Sequence, residues 1–269
     1  MIVTWWNGRE VPAQNVRIAP DDAGFLYGDG LFETLRVENG SALHVSFHIT
    51  RLFDGLRKLE MDIPEDKNAL KQGLYAVADA APRPTARLRI TITRGASGIP
   101  TRLITAVPYR PPDASQYREG VSALLLPELR IDSQSPLAGV KSTCWQVNRL
   151  ALLRAERAGA FEALLLNERG RVAEGARSNL LVVLKGKVFT PPLKDGCLPG
   201  VIRQLLVSLG QATERSLSLK DLERAEEILL TNSLIGVLPV GWLGRRLAVR
   251  ETGERLRKEA LTPGPSPGS

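Results

Sequence analysis

The chain has 269 residues, a net charge of +7, 43% hydrophobic and 24% charged residues, and two cysteines. These are the proportions of an ordinary soluble protein with enough chain for one large domain or two small ones. Two cysteines, Cys144 and Cys197, exclude a disulfide framework and make a reducing cytoplasm the expected compartment. The first thirty residues lack the charged, apolar and small-residue order of a signal peptide. The most apolar run, Ile228 to Leu243, is interrupted by Thr231, Asn232, Ser233, Gly236, Pro239 and Gly241. A membrane span needs about 20 apolar residues without such breaks. The arginines are scattered, with no dense basic run among aromatics, so the positive charge points to an anionic small molecule rather than nucleic acid.

In chain order, the first elements are short strands around Asn-Gly turns, a hairpin signal. Ile2 to Trp6 and Arg9 to Val11 flank Asn7-Gly8, and Phe32 to Glu38 and Ala42 to Val45 flank Asn39-Gly40. Phe47, Leu52, Phe53, Leu56 and Leu59 recur at helical spacing, as do Leu70, Leu74, Val77 and Ala78. Leu88, Ile90 and Ile92 alternate with Arg89, Thr91 and Thr93, the pattern of a half-buried strand, and Leu103 to Val107 supplies another. Pro108, Pro111 and Pro112 with Asp113 and Ser115 form the best linker in the chain.

The second part opens with a strand from Val121 to Leu126 and a loop reaching Lys141. A helix is expected over Gln146 to Ala158, ended by Gly159. Ala163 to Leu166, the turn Glu168-Arg169-Gly170 and Val172-Ala173 make a hairpin leading to Glu174. Asn179 to Leu184 and Val188 to Thr190 surround Gly186 and pair next. Pro199-Gly200 opens a helix through Leu209, since proline is acceptable in a first turn. Glu227 to Thr231 and Val237 to Val240 are the last clear strands, and Thr262 to Ser269 is a Pro/Gly/Ser tail expected to be disordered. The pattern reads as α+β in two domains: 1–112, a linker 113–120, 121–261, and the tail 262–269.

Three residues carry candidate chemistry. Lys141 taken singly is one of many surface lysines, but it follows the apolar Leu137-Ala138-Gly139-Val140 and precedes a helix. A partly desolvated lysine serves as nucleophile or general base near neutral pH. Glu174 is on its own a turn carboxylate before Gly175, and Arg51 an exposed helix arginine beside Asp54. A lysine and a carboxylate are also what pyridoxal phosphate needs, one for its aldehyde and one for its ring nitrogen.

Lys141-Ser142-Thr143-Cys144-Trp145 and Glu174-Gly175-Ala176-Arg177-Ser178-Asn179, taken with His48-Ile49-Thr50-Arg51-Leu52, resemble the fold-type IV (class IV aminotransferase) enzymes. The resemblance covers nearly the whole chain. It implies a small α/β domain and a larger pseudo-barrel domain with pyridoxal 5′-phosphate between them. It further implies Lys141 as the catalytic lysine that carries the cofactor, Glu174 on the pyridine nitrogen and Arg51 on the phosphate. Leu198 is implied on the ring face, with Val201 and Ile202 amides, Ser233 and Asn232 completing the phosphate site. Phe32, Thr34 and Arg36 share a strand face that in relatives points towards substrate. The family is dimeric, and the Trp5-Trp6 hairpin is expected as exposed interface material or as core.

Two departures stand out: Trp145 where relatives often carry tyrosine, and Ile202 where many carry threonine. Gly28-Asp29-Gly30 lacks the third glycine of a dinucleotide fingerprint, Glu33 standing there. Two histidines, His44 and His48, make no zinc set and are expected to pack at a hairpin end and a helix start.

Within the family, Thr93-Arg94-Gly95 lacks the Arg-x-His that resembles a D-amino acid aminotransferase. It equally lacks the Arg-Pro and Gly-Thr-Ala of branched-chain enzymes. Thr231-Asn232-Ser233-Leu234 and Gly200-Val201-Ile202-Arg203-Gln204 look like aminodeoxychorismate lyase. The expected reaction is conversion of 4-amino-4-deoxychorismate to 4-aminobenzoate and pyruvate, a step of folate biosynthesis. A branched-chain or D-amino acid aminotransferase is the alternative, and a non-catalytic binding relative a minor one. Two substrate carboxylates call for cations, and Arg94, Arg102 and Arg177 are the candidates, with Arg36 behind them.

Overall fold

The computed structural model describes residues 2–262, which fall into two compact units. The first comprises residues 2–111 together with Val140–Cys144, and the second Pro112–Gly139 with Trp145–Thr262. The expected tail beyond Thr262 lies outside the described residues.

The first unit is a six-stranded sheet with helices on one face. In chain order it runs β1 (Val3–Trp6), β2 (Arg9–Glu10), α1 (Ala23–Tyr27), β3 (Gly30–Glu38), β4 (Ser41–Ala42), α2 (Val45–Lys58), α3 (Lys67–Asp79), β5 (Thr85–Ala96) and β6 (Ile99–Pro108). The spatial order is β2-β1-β6-β5-β3-β4. The strict alternation of β5 sends Leu88, Ile90 and Ile92 to one face, where they pack with Leu35, Ile49, Leu70 and Leu74. Pairing across β3 and β5 sets Phe32 opposite Thr91, Thr34 opposite Arg89 and Arg36 opposite Arg87, so these side chains share the other face.

The Asn39-Gly40 hairpin is shorter than expected. Val45 begins α2 rather than ending a strand, and His44, at φ 56°, is the left-handed residue at its N-cap. Of the two readings given for the Trp5-Trp6 pair, Trp5 follows the core one and Trp6 is half-buried. Period-2 alternation against Ile104 puts Trp5 on the apolar face.

The second unit holds α4 (Ala114–Glu119), β7 (Val121–Ile131), α5 (Gln146–Arg157), β8 (Glu162–Asn167), β9 (Val172–Gly175), β10 (Asn179–Leu184), β11 (Lys187–Thr190), α6 (Val201–Ser208), β12 (Thr213–Glu214), α7 (Leu219–Glu223), β13 (Glu227–Asn232), β14 (Gly236–Trp242) and α8 (Glu251–Leu261). Its eight strands are ordered β12-β11-β10-β13-β14-β7-β8-β9. Both sheets are curled. β8, β9 and β10 are buried almost end to end, as strands covered on both faces must be. The stretch read as a linker contains α4, because Asp113 and Gln116 close a reciprocal capping box. α8 was not expected; it buries Leu256 and Ala260 against Leu229 and Val237. Among the described residues no helix is long and apolar enough to cross a membrane, and no His/Cys/Asp/Glu group is placed to hold a metal.

Candidate active site

Lys141 is fixed by backbone pairing beside the start of β3. Its carbonyl accepts the Phe32 N–H at 3.0 Å, Thr143 N–H donates to the Gly30 carbonyl at 2.8 Å, and the Thr143 hydroxyl donates to the Gly28 carbonyl at 2.6 Å. These bonds explain why a segment distant in sequence belongs to the first unit. They bring the lysine ammonium over the Phe32 ring, 4.5 Å from its centroid. The Arg89 guanidinium lies against the same ring at 3.9 Å. Two cations against one aromatic ring make an electropositive surface suited to an anionic substrate.

Arg89 was not singled out from sequence, yet it is the arginine best placed in this unit. Its Nε donates to the Thr91 hydroxyl at 3.1 Å, and among the described residues no carboxylate forms an ion pair with it. Burial, helped by Arg87, pushes it below the ordinary arginine value, so its charge gains from an incoming anion. The signal was available: Arg89 alternates out of the apolar face, and hairpin register sets it beside Thr34.

Arg94 and Arg102, the sequence candidates for substrate, both donate to acceptors within the first unit. Arg94 gives its donors to Asp29 and to the Leu59 and Glu60 carbonyls. Arg102 gives Nε and Nη2 to Glu65 and Nη1 to the Pro100 carbonyl. Each guanidinium is thus committed to the chain's own acceptors. Arg36 is buried with Nη2 on Glu38 at 2.7 Å. Arg177 lies over the Phe161 ring at 4.6 Å and donates to the Phe161 carbonyl at 2.6 Å.

Arg51 is no exposed helix arginine, and Asp54 pairs with Arg57. Nε of Arg51 donates to Oε1 of Glu33 at 2.7 Å and Nη2 to Oε2 at 2.6 Å. His48 Nδ1 reaches the same Oε2 at 2.6 Å, so His48 belongs to a buried polar cluster rather than to helix-start packing. Burial opposes the Glu33 charge, but Arg51 and the bonds from Arg51 and His48 override it and pull the carboxyl down to about 2.

In the second unit Glu174, next to last in β9, is nearly buried. Its Oε2 accepts the Leu198 N–H at 2.8 Å and the Asn179 side-chain amide at 3.2 Å. That amide also donates to the Leu198 carbonyl at 2.9 Å, so Asn179 ties the carboxylate to the turn before α6. A Cβ on Gly200 would lie 1.8 Å from Asn179 Oδ1, which is why glycine stands there. Sequence reasoning held Asn179 in a motif without giving it this bridging role. α6 begins after Gly200 with no side-chain cap and no acidic residue in its first turn, leaving the amides around Val201 and Ile202 suited to an anion. Asn232 donates to the Arg177 carbonyl at 3.0 Å and accepts from the Leu234 and Ile235 amides, closing the loop that carries Ser233. Trp145 is the N-cap of α5.

In the second unit, a nearly buried carboxylate held as an acceptor and an uncapped helix start fit the ring nitrogen and phosphate of pyridoxal phosphate; in the first, the ammonium of Lys141 fits its aldehyde. The Amino-transferase class IV family model matches residues 30–241. A putative branched-chain-amino-acid aminotransferase of Methanocaldococcus jannaschii is 30% identical, covering 94% of this chain and 92% of its own. The structure of 4-amino-4-deoxychorismate lyase from Pseudomonas aeruginosa is 32% identical, with a TM-score of 0.81 and 95% and 97% covered. That of a hypothetical aminotransferase from Mycobacterium tuberculosis in its PLP-bound form is 26% identical, with a TM-score of 0.86 and 96% and 97% covered.

Proposed function

The chain belongs to the class IV amino-transferase family, and from that premise we propose that it is a 4-amino-4-deoxychorismate lyase. It is an enzyme of the fold-type IV group with pyridoxal 5′-phosphate as cofactor. The observation that carries the finer reading is the Thr231-Asn232-Ser233-Leu234 loop, in which Asn232 both closes the turn and binds the Arg177 carbonyl. That asparagine-serine-leucine sequence looks like the lyases, and the 32% identity to the Pseudomonas aeruginosa lyase agrees with it.

In this reading Lys141 carries the cofactor, Glu174 holds the proton on its ring nitrogen, and Leu198 lies against the ring. Arg51, the amides of Val201 and Ile202, and Ser233 with Asn232 hold the phosphate. When bound, the cofactor draws electrons from the substrate carbon that bears the amine. Lys141 removes the proton from that carbon as general base. The neighbouring enolpyruvyl group then leaves, to end as pyruvate, and the six-membered ring becomes the aromatic 4-aminobenzoate. The Leu198 amide and the Asn179 side chain both donate to the Glu174 carboxylate and fix its position. Arg89 takes one substrate carboxylate beside Phe32 and Thr34, and Arg177, whose carbonyl binds Asn232, is the second candidate cation. The enzyme acts as a cytoplasmic homodimer.

The second reading is an aminotransferase, favoured by the identity to the Methanocaldococcus jannaschii relative. A substrate panel separates the two. Aminodeoxychorismate generated in the assay is offered beside branched-chain and D-amino acids with a keto acid. Formation of 4-aminobenzoate supports the lyase; amino transfer from the panel without aminobenzoate overturns it.

A further inference from the structure

Glu174 and Asn179 are joined by a tight turn, closed by the Gly175 N–H on the Ser178 carbonyl at 2.7 Å. Against that turn lies Glu162, the first residue of β8 and 0% exposed. Oε2 of Glu162 accepts the Ser178 hydroxyl at 2.7 Å, and Oε1 accepts the Ala163 N–H at 3.0 Å. The Arg177 backbone N–H is directed at the same carboxyl, while the Arg177 Nε stands 3.9 Å away. A Cβ on Gly175 would lie 2.4 Å from Ser178 Oγ and 3.1 Å from the Glu162 carboxyl carbon, so the turn is seated directly on the carboxylate. Burial raises the Glu162 carboxyl above its ordinary value despite these bonds. Stability alone does not account for a carboxylate here, since a buried ionic group seldom stabilises a fold more than an apolar residue would.

The place of the turn supplies the reason. Glu174 enters it and Asn179 leaves it, and the Asn179 side-chain amide bonds back to Glu174 Oε2 at 3.2 Å. The middle of the turn is held at Ala176, whose carbonyl accepts from the Asn148 side chain at 3.1 Å and whose N–H donates to the Ala163 carbonyl at 2.8 Å. Its far side, Arg177 and Ser178, is held by Glu162. A turn released on that side swings both of its ends, and a small error of aim is costly for a preorganised polar contact. We infer that Glu162, acting through Ser178, is a positioning residue that aims the Glu174 carboxylate at the cofactor's ring nitrogen. All of these residues belong to the second unit. The inference rests on the reading above that Glu174 meets that nitrogen.

Equilibrium binding to the cofactor-free protein tests it, with two probes: pyridoxal phosphate and its deaza analogue, in which a C–H replaces the ring nitrogen. The probes share aldehyde and phosphate, so their affinity ratio reports the contact at the nitrogen. Glu162→Met, which keeps the length of the side chain and removes its acceptors, lowers the preference for pyridoxal phosphate by about tenfold, the scale of one weakened charge-assisted bond, and leaves binding of the analogue unchanged. Ser178→Ala, which removes the linking hydroxyl and keeps the carboxylate, lowers the preference in the same direction and stands in if the methionine variant does not fold. Glu174→Gln alone abolishes the preference, and adding Glu162→Met to it changes the ratio no further. If Glu174→Gln loses the preference while the Glu162 and Ser178 variants keep it, the positioning role is overturned and the ring-nitrogen reading stands. Equal weakening of both probes in those variants marks a merely structural carboxylate and overturns it too. If Glu174→Gln keeps the preference, the ring-nitrogen reading itself fails and the inference with it.

Discussion

Arg89 and Lys141 bear on a single ring: the guanidinium lies 3.9 Å and the ammonium 4.5 Å from the centroid of Phe32. The two cations therefore act on the same small volume, and substrate charge placed there is felt by both. Arg89→Ala is expected to raise KM for the dicarboxylate substrate by about 30-fold or more, the cost of removing a charge-assisted partner. Arg102→Ala acts differently, because it leaves Glu65 without its partner. It should cost about 3–5 kcal/mol of stability for a largely buried pair, seen as a lower Tm, with KM little changed. Steady-state kinetics beside thermal melts check both. A KM effect at Arg102 with none at Arg89 reverses the assignment.

Glu174→Gln should bind cofactor and lose about 10²-fold in kcat, the scale of removing one preorganised electrostatic group. The Leu198 amide can still donate to the remaining carbonyl oxygen, so the fold should survive. Turnover near that of the parent enzyme would end the role given to Glu174.

Much of this was legible locally. The β5 alternation, the α2 and α3 stripes, and the lysine and glutamate motifs each lie within a few residues of sequence. What was not legible depends on partners far along the chain. Arg102 reads as a free cation until Glu65 is folded beside it, and Glu33 as a missing glycine until α2 brings Arg51. α4 carried its signal in Asp113 and Gln116, but the surrounding prolines argued for a linker. α8 has few buried side chains, Leu256 and Ala260 chief among them, so its periodicity is faint.

Acid should weaken the first unit in two stages. Burial lowers His48, outweighing the bond to Glu33, while Arg51 and the nearby His44 also oppose its charge. Glu33 is lowered from 4.5 to about 2. Both groups bind protons more readily in the unfolded chain, so stability is full at higher pH and is lost as pH falls. The loss starts below 6.5 through His48 and continues from 4.5 towards 2 through Glu33. Urea unfolding across that range should show a decline that Glu33→Gln flattens in its lower part. An unchanged slope there would contradict the linkage.

The exposed side chains of α1 are the surface expected to carry the proposed dimer. Phe25 and Tyr27 are 74% and 75% exposed and Leu26 lies between them, an apolar patch of the kind that marks an interaction site. Asp22 holds the helix in place by accepting from the Gly24 and Phe25 amides and from the Thr93 and Thr101 hydroxyls. Phe25→Asp should convert the dimer to a monomer in light scattering at micromolar concentration. A parent protein that is monomeric and active would refute the dimer.

The central claim concerns reaction type, and acceptor dependence tests it most directly. A lyase returns its cofactor to the starting form in each cycle, because the amino group leaves with the aromatic product. An aminotransferase keeps the amino group and stops after one half-reaction until a keto acid removes it. Enzyme loaded with pyridoxal phosphate should therefore be mixed with excess aminodeoxychorismate in the absence of any keto acid, and aminobenzoate and pyruvate counted per active site. Many equivalents of both, in equal amounts, are the predicted result. One equivalent or less, with turnover restored only by 2-oxoglutarate or a similar acceptor, would contradict it.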